Sequence, residues 1–235
     1  MVISCWSVKG GVGTTVTAVA LALTIARRNP LGGWLVDLGE PPGDIAGVLG
    51  MGDAGMEGVA DWLAAGERST PEALGRLAVP VVDGLSVVGP GSGYGDTPIS
   101  RAQHLVAALA EQSLPVVVDC GRVDAAATQS ANRDEVLGRA AMGAMLAAAA
   151  STSLLVLRPC YLGLRRAVES EIRPSGVVVV HEPGRALGPA EVEDVIGVPV
   201  VACVDVDPAV ARVVDAGMLA ARMPRHFAKA IGRAA

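Results

Sequence analysis

Short runs of continuous apolar residues alternate along this chain with longer segments whose apolar positions recur at helical spacing. Val2–Trp6, Trp34–Asp37, Leu85–Val88, Pro115–Asp119, Ser153–Leu157, Gly176–Val180 and Pro199–Val204 are short and rich in Val, Ile and Leu, and read as strands. Thr14–Arg28, Met56–Ala65, Pro71–Leu77, Ile99–Glu111, Arg133–Ala150, Leu162–Ile172, Pro189–Ile196, Pro208–Ala216 and Arg225–Ile231 read as helices. Ser69 or Thr70 before Pro71, and Asp207 before Pro208, supply helix-start chemistry. The alternation predicts an α/β fold, a doubly wound and mostly parallel sheet with helices on both faces. The stretch GPGSGYGDTP at 89–98 joins a strand to a helix within the same pattern and reads as a surface loop. A single domain over residues 1–235 is therefore expected.

Composition refines this picture. Hydrophobic residues make up 51% and aromatic residues only 3%, so the core is aliphatic and disorder is excluded. The net charge of −5 offers no general basic surplus for gripping nucleic acid. Cys5, Cys120, Cys160 and Cys203 lie far apart in apolar runs, form no C-x-x-C pair, and read as reduced core thiols of a cytosolic protein. No basic stretch followed by a long apolar one opens the sequence, and Ala140–Ala150 is too short to span a bilayer. Lys9 and Lys229 are the only lysines, which makes Lys9, at the front of a glycine-rich loop, an unusual residue for this chain.

That loop carries the candidate chemistry. VISCWSV is followed by KGGVGTT and then by an apolar helix. Glycines let backbone N–H groups converge on a phosphate, and a helix N-terminus adds partial positive charge. Thr15 stands where such loops offer a hydroxyl to Mg²⁺. KGGVGTT resembles the deviant Walker A loop of the MinD/ParA family, KGG-x-GK[ST]. The resemblance implies that Gly10, Gly11, Val12, Gly13, Thr14 and Thr15 hold ATP or ADP. It also implies that Lys9 reaches the partner's phosphates in a nucleotide-sandwich homodimer. Thr14 departs from the pattern, standing in place of the second lysine. A charge-assisted contact of that kind contributes roughly 1.5–3 kcal/mol, one to two decades in affinity.

Further landmarks follow in order. WLVDLGEPPGDIAGVLG resembles the family's D-x-D strand and short helix, with Asp37 as the first acid and Gly39 in place of the second. VVVDCG resembles the Walker B strand, so Asp119 is implied to hold Mg²⁺ with Thr15 and Asp37. VVVVHEPG puts His181 at the adenine-reading position, and the final motif puts Asp207 on a loop near the base. GDIAGVLGM and GVADWLAAGERSTPEALGRL are similar to the TadZ/CpaE branch, which positions Flp/Tad pilus assembly and is related to septum-site regulators.

The implied protein is a cytoplasmic, ATP-binding positioning factor, localised to the cell pole or the inner face of the membrane through a partner, with slow or no hydrolysis. A septum-site or partitioning ATPase of the same family is the alternative. DNA binding would draw on Arg212, Arg222, Arg225, Lys229 and Arg233. A MinD-like membrane contact would draw on Phe227 and Ile231, a small apolar face that fits docking onto the domain better. Gly11-x-Gly13 with Asp37 also admits an NAD(P)-binding Rossmann enzyme, but Val16 occupies the place of the third glycine.

Overall fold

Valine-rich strands need cover on both faces, and the helices between them provide it. The computed structural model describes residues 1–52, 57–82, 84–95, 97–123, 126, 127, 129 and 136–235. Its elements run β1 (Val2–Ser7), α1 (Thr14–Arg28), β2 (Gly33–Asp37), α2 (Asp44–Leu49), α3 (Val59–Ala64), α4 (Pro71–Arg76), β3 (Val79–Val82), β4 (Leu85–Val88) and β5 (Thr97–Pro98). They continue with α5 (Ile99–Ala110), β6 (Val116–Arg122), β7 (Val136–Leu137), α6 (Arg139–Ala149), β8 (Thr152–Leu157), α7 (Tyr161–Glu169) and β9 (Gly176–His181). The last elements are α8 (Pro189–Ile196), β10 (Val200–Asp205), α9 (Pro208–Asp215), α10 (Leu219–Arg222) and α11 (Arg225–Ile231).

Eight strands form one sheet in the order β10-β9-β8-β1-β6-β2-β4-β3, parallel throughout except where β3 meets β4. The predicted doubly wound, mostly parallel α/β architecture is the one observed. One face buries Trp6, Trp34 and Val118 with Trp62, Leu105, Leu109 and Met142 from α3, α5 and α6. The other buries Leu35, Val117 and Val156 under α1, with Phe227 and Ile231 of α11 in the same cluster. The expected aliphatic core thus also takes in all three tryptophans, and each buried Val, Leu, Ile, Phe or Met contributes roughly 1.5–3 kcal/mol by leaving water.

The helix α1 is buried along almost its whole length, from Thr17 to Ala26. Its apolar run therefore has no polar face, and Arg27 and Arg28 in the last turn complement the helix dipole. Phe227 and Ile231 are buried against this side of the domain, so the α11 apolar pair serves docking, and no described helix is long and apolar enough to cross a membrane. The five C-terminal cations Arg212, Arg222, Arg225, Lys229 and Arg233 are exposed.

Several sequence expectations are corrected. Val79–Val82, left outside the predicted strands, is an antiparallel edge strand; Pro80 obscures its pattern but is tolerated at an edge. The strand expected to end at Asp119 runs to Arg122. The helix expected from Met56 has Val59 as its first residue, with Met56 itself outside the described residues. Likewise, 133–135 of the helix expected over 133–150 lie outside them, and α6 begins at Arg139. The 89–98 stretch is not simply a surface loop, because Gly89 and Pro90 are buried and Thr97–Pro98 pairs with Val136–Leu137. Among the cysteines, Cys5 and Cys120 are buried free thiols whose pKa burial raises, while Cys160 and Cys203 are only partly covered. Cys160 Sγ instead caps α7, accepting from Gly163 N at 3.3 Å.

Candidate functional site

Parallel pairing brings three strand ends together. Asp119 on the central strand β6 lies in register with Cys5 of β1 on one side and Asp37 of β2 on the other. The turn leaving β1 is the glycine-rich loop. Gly11 and Gly13 have positive φ of 72° and 91°, conformations that side-chain-bearing residues rarely adopt. A Cβ at Gly10 or Gly11 would meet no atom within 4 Å, so open space lies beside both residues. Gly13 is the N-cap of α1 and supplies no side-chain cap, which leaves the first N–H groups of that helix without such a partner. Val12 and Thr14 are buried, Thr15 is half-buried and Lys9 is exposed. A phosphate chain with its metal fits this arrangement of open backbone, uncapped donors and nearby carboxylates.

Opposite the loop stands a pair of buried carboxylates. Asp119 is 3% exposed; Gly121 N donates to its Oδ1 at 3.0 Å, and the neighbouring Thr15 side chain favours its ionised form. Burial raises its pKa, partly offset by these two groups. Asp37 is also 3% exposed, and burial, with the charge of Asp119 second, pushes it up to about 6. Asp44, in the first turn of α2, adds further negative charge that acts on both. Such a carboxylate pair is electrostatically short of a cation.

The turn after β2 closes around Asp37. Gly39 N donates to Oδ1 at 2.6 Å and Ile45 N to Oδ2 at 3.4 Å. A Cβ at Gly39 would come within 2.7 Å of Oδ1, so the backbone at the position of the missing acid is wrapped onto Asp37 itself. Glu40, the residue after Gly39, is ion-paired with Arg139 at 3.0 Å. The hydroxyl of Tyr94, from the 89–95 loop, donates to the Asp37 carbonyl at 3.4 Å.

His181 and Asp207 sit on the other flank, at the ends of β9 and β10. The residue before His181, Val180, places Cγ2 4.0 Å from where a Cβ on Gly13 would stand, so this strand end adjoins the loop. His181 Nδ1 lies 3.0 Å from Asp205 Oδ1. Asp207 N-caps α9 through Ala209 N at 2.7 Å and pairs with His226 Nε2 at 2.7 Å. Thr15, Asp37 and Asp119 therefore converge with the glycine loop, whereas His181 and Asp207 form separate pairs beside it.

Sequence reasoning missed Arg139, Tyr94 and Asp44. None carries a local signal, because each reaches the site through chain folding. A cavity of about 410 Å³ is bordered by Asp37, Ile45, Asp61 and Pro90 but by none of residues 9–15, so it is distinct from the glycine loop.

No protein-family model matches the chain, and no curated protein does. Solved structures do match over nearly the full length. A ParA family ATPase from Chlorobium tepidum TLS is 20% identical, with a TM-score of 0.75 over 98% of this chain and 95% of that one. The septum site-determining protein MinD of Pyrococcus horikoshii OT3, complexed with Mg-ADP, is 19% identical, with a TM-score of 0.73 over 99% and 93%. The Aquifex aeolicus MinC:MinD cell division complex is 15% identical, with a TM-score of 0.71 over 99% and 93%. This chain has the α/β fold of the solved MinD and ParA family structures.

Proposed function

We propose that the chain is a one-domain, MinD/ParA-like positioning protein that binds ATP or ADP with Mg²⁺ and turns it over slowly or not at all. The observation that carries this reading is the convergence, at three adjacent strand ends, of an open glycine loop and the buried carboxylate pair Asp37 and Asp119. Residues 10–14 would hold the phosphates through backbone N–H groups, and Thr15, Asp119 and Asp37 would hold the metal directly or through water. Bound Mg-nucleotide supplies the phosphate charge on which two copies can close. Lys9, exposed at the front of the loop, would serve a partner copy, and its exposure is compatible with a homodimer.

Turnover requires a positioned water and neutralisation of developing charge. Thr14 brings no cation, and the acid absent at Gly39 leaves Asp37 engaged by its own turn. Binding groups therefore outlast hydrolytic ones. His181 and Asp207 flank the loop on the side where a base would lie. The solved relatives named above include cell-division and ParA-type ATPases and one bound to a protein partner, MinC. They support a positioning role exercised through a protein partner. The TadZ/CpaE-like motifs GDIAGVLGM and GVADWLAAGERSTPEALGRL favour a pilus or secretion complex at the cytoplasmic face.

Titration with a fluorescent ATP analogue and Mg²⁺ tests the reading. Binding at or below millimolar nucleotide is expected, and Thr14→Lys should tighten it about tenfold. No binding at millimolar nucleotide sinks the proposal. An unchanged affinity in Thr14→Lys means that the loop does not serve phosphate.

A further inference from the structure

Arg139 is the first residue of α6, and its guanidinium reaches the turn after β2. Nε donates to Glu40 Oε1 at 3.0 Å, and Nη1 donates to the Leu38 carbonyl at 3.2 Å. Nη1 also lies 3.2 Å from where a Cβ on Gly121 would stand. Gly121 follows Asp119 by two residues and pairs with Trp6 of β1, the strand that enters the glycine loop. The guanidinium thus lies over the ends of β6 and β2. The Arg139 side chain is 19% exposed, whereas Glu40 is 73% exposed.

The geometry points to Arg139 as the in-chain cation for the phosphate chain of a nucleoside triphosphate, standing in for the lysine absent at Thr14, with Glu40 as its resting counter-ion. The inference rests on the nucleotide reading above. Three physical reasons support it. Asp37 and Asp119 stand in register at adjacent strand ends with Asp44 in the next helix's first turn, so a phosphate chain entering there gains from a cation of the chain beside that of the metal. Glu40 is mostly in water, and an ion pair with so exposed a partner is weak. Phosphate oxygens match the planar donor fork of an arginine better than a single solvated carboxylate does, so they compete well for it. The Nη1 contact to the Leu38 carbonyl anchors one end of the guanidinium while Nε changes partner.

The rival role is a brace that only fastens the 38–40 turn, and the following variants separate the two. A fluorescent ATP analogue with Mg²⁺ is titrated into the wild-type chain, Arg139→Gln, Thr14→Lys/Arg139→Gln and Glu40→Gln, with thermal midpoints recorded for each. Arg139→Gln should weaken binding about tenfold, the loss of one charge-assisted contact. The double variant should return to within about threefold of wild type, and Glu40→Gln should tighten binding about threefold, because each alters only the cation available to phosphate. Wild-type affinity in Arg139→Gln overturns the inference, as does a double variant no better than Arg139→Gln. If Arg139→Gln does not fold, Glu40→Gln decides alone: tighter binding supports the role, and unchanged or weaker binding overturns it. Failure of both wild type and Thr14→Lys to bind nucleotide defeats the nucleotide reading itself. Wild-type binding that is indifferent to Arg139 defeats only this inference.

Discussion

Two glycine-rich turns leave the strands on either side of β6, and they use glycine to opposite ends. In the turn after β1, a Cβ at Gly10 or Gly11 would enter open space. In the turn after β2, a Cβ at Gly39 or Gly43 would come within 2.7 or 2.5 Å of the two Asp37 oxygens. The first turn keeps room beside its backbone; the second has filled that room with the protein's own carboxylate. Glycine content therefore does not mark a ligand loop by itself. The difference lies in whether the chain supplies its own acceptor for the backbone N–H groups. It also explains why the acid absent at Gly39 is not a simple deletion: this turn is built around Asp37.

The contrast breaks most readily at Gly43. Its φ of +86° and the close approach to Asp37 and Pro90 make Gly43→Ala costly, about 2–4 kcal/mol by urea denaturation. A loss below about 0.5 kcal/mol would mean that the second turn is as open as the first.

Asp37 offers a subtler test. Because burial and the Asp119 charge push it up to about 6, the folded chain holds this proton more tightly than the unfolded one does. The associated stability is present below about pH 4 and is lost as pH rises through about 6. Asp37→Asn cannot ionise but gives up one backbone acceptor. In metal-free buffer it should exceed wild type by about 1–2 kcal/mol near pH 7, with the gap closing below about pH 4. A variant less stable than wild type at neutral pH would show that the carboxylate charge is compensated within the fold.

The smallest effect on stability belongs to Gly10→Ala, within about 0.5 kcal/mol of wild type, since its side chain meets nothing. If the open space is for phosphate, nucleotide titration should nevertheless show weakened binding. Equal binding would leave the two turns indistinguishable in function.

Local pattern was enough for much of this molecule. Apolar period and punctuation located α1, α8 and α11 to the residue, and the alternation of elements specified a doubly wound sheet. The small helices α8 and α11 are readable from their spaced apolar positions, whereas α1 and the doubly covered strands read as continuous apolar runs told apart by length and punctuation. The glycine loop, Asp37 and Asp119 were legible too, each marked by its position at the end of an apolar strand. Only the tertiary structure decided what surrounds them. Strand order puts β6 between β1 and β2 and so sets Asp119 in register with Asp37. It also lets Arg139 meet Glu40 across 99 residues of sequence and brings Tyr94 onto the Asp37 carbonyl. The sequence by itself determined the elements and the loop that could receive a phosphate. Which charges face that loop depends on contacts between distant strand ends, and no local periodicity encodes them.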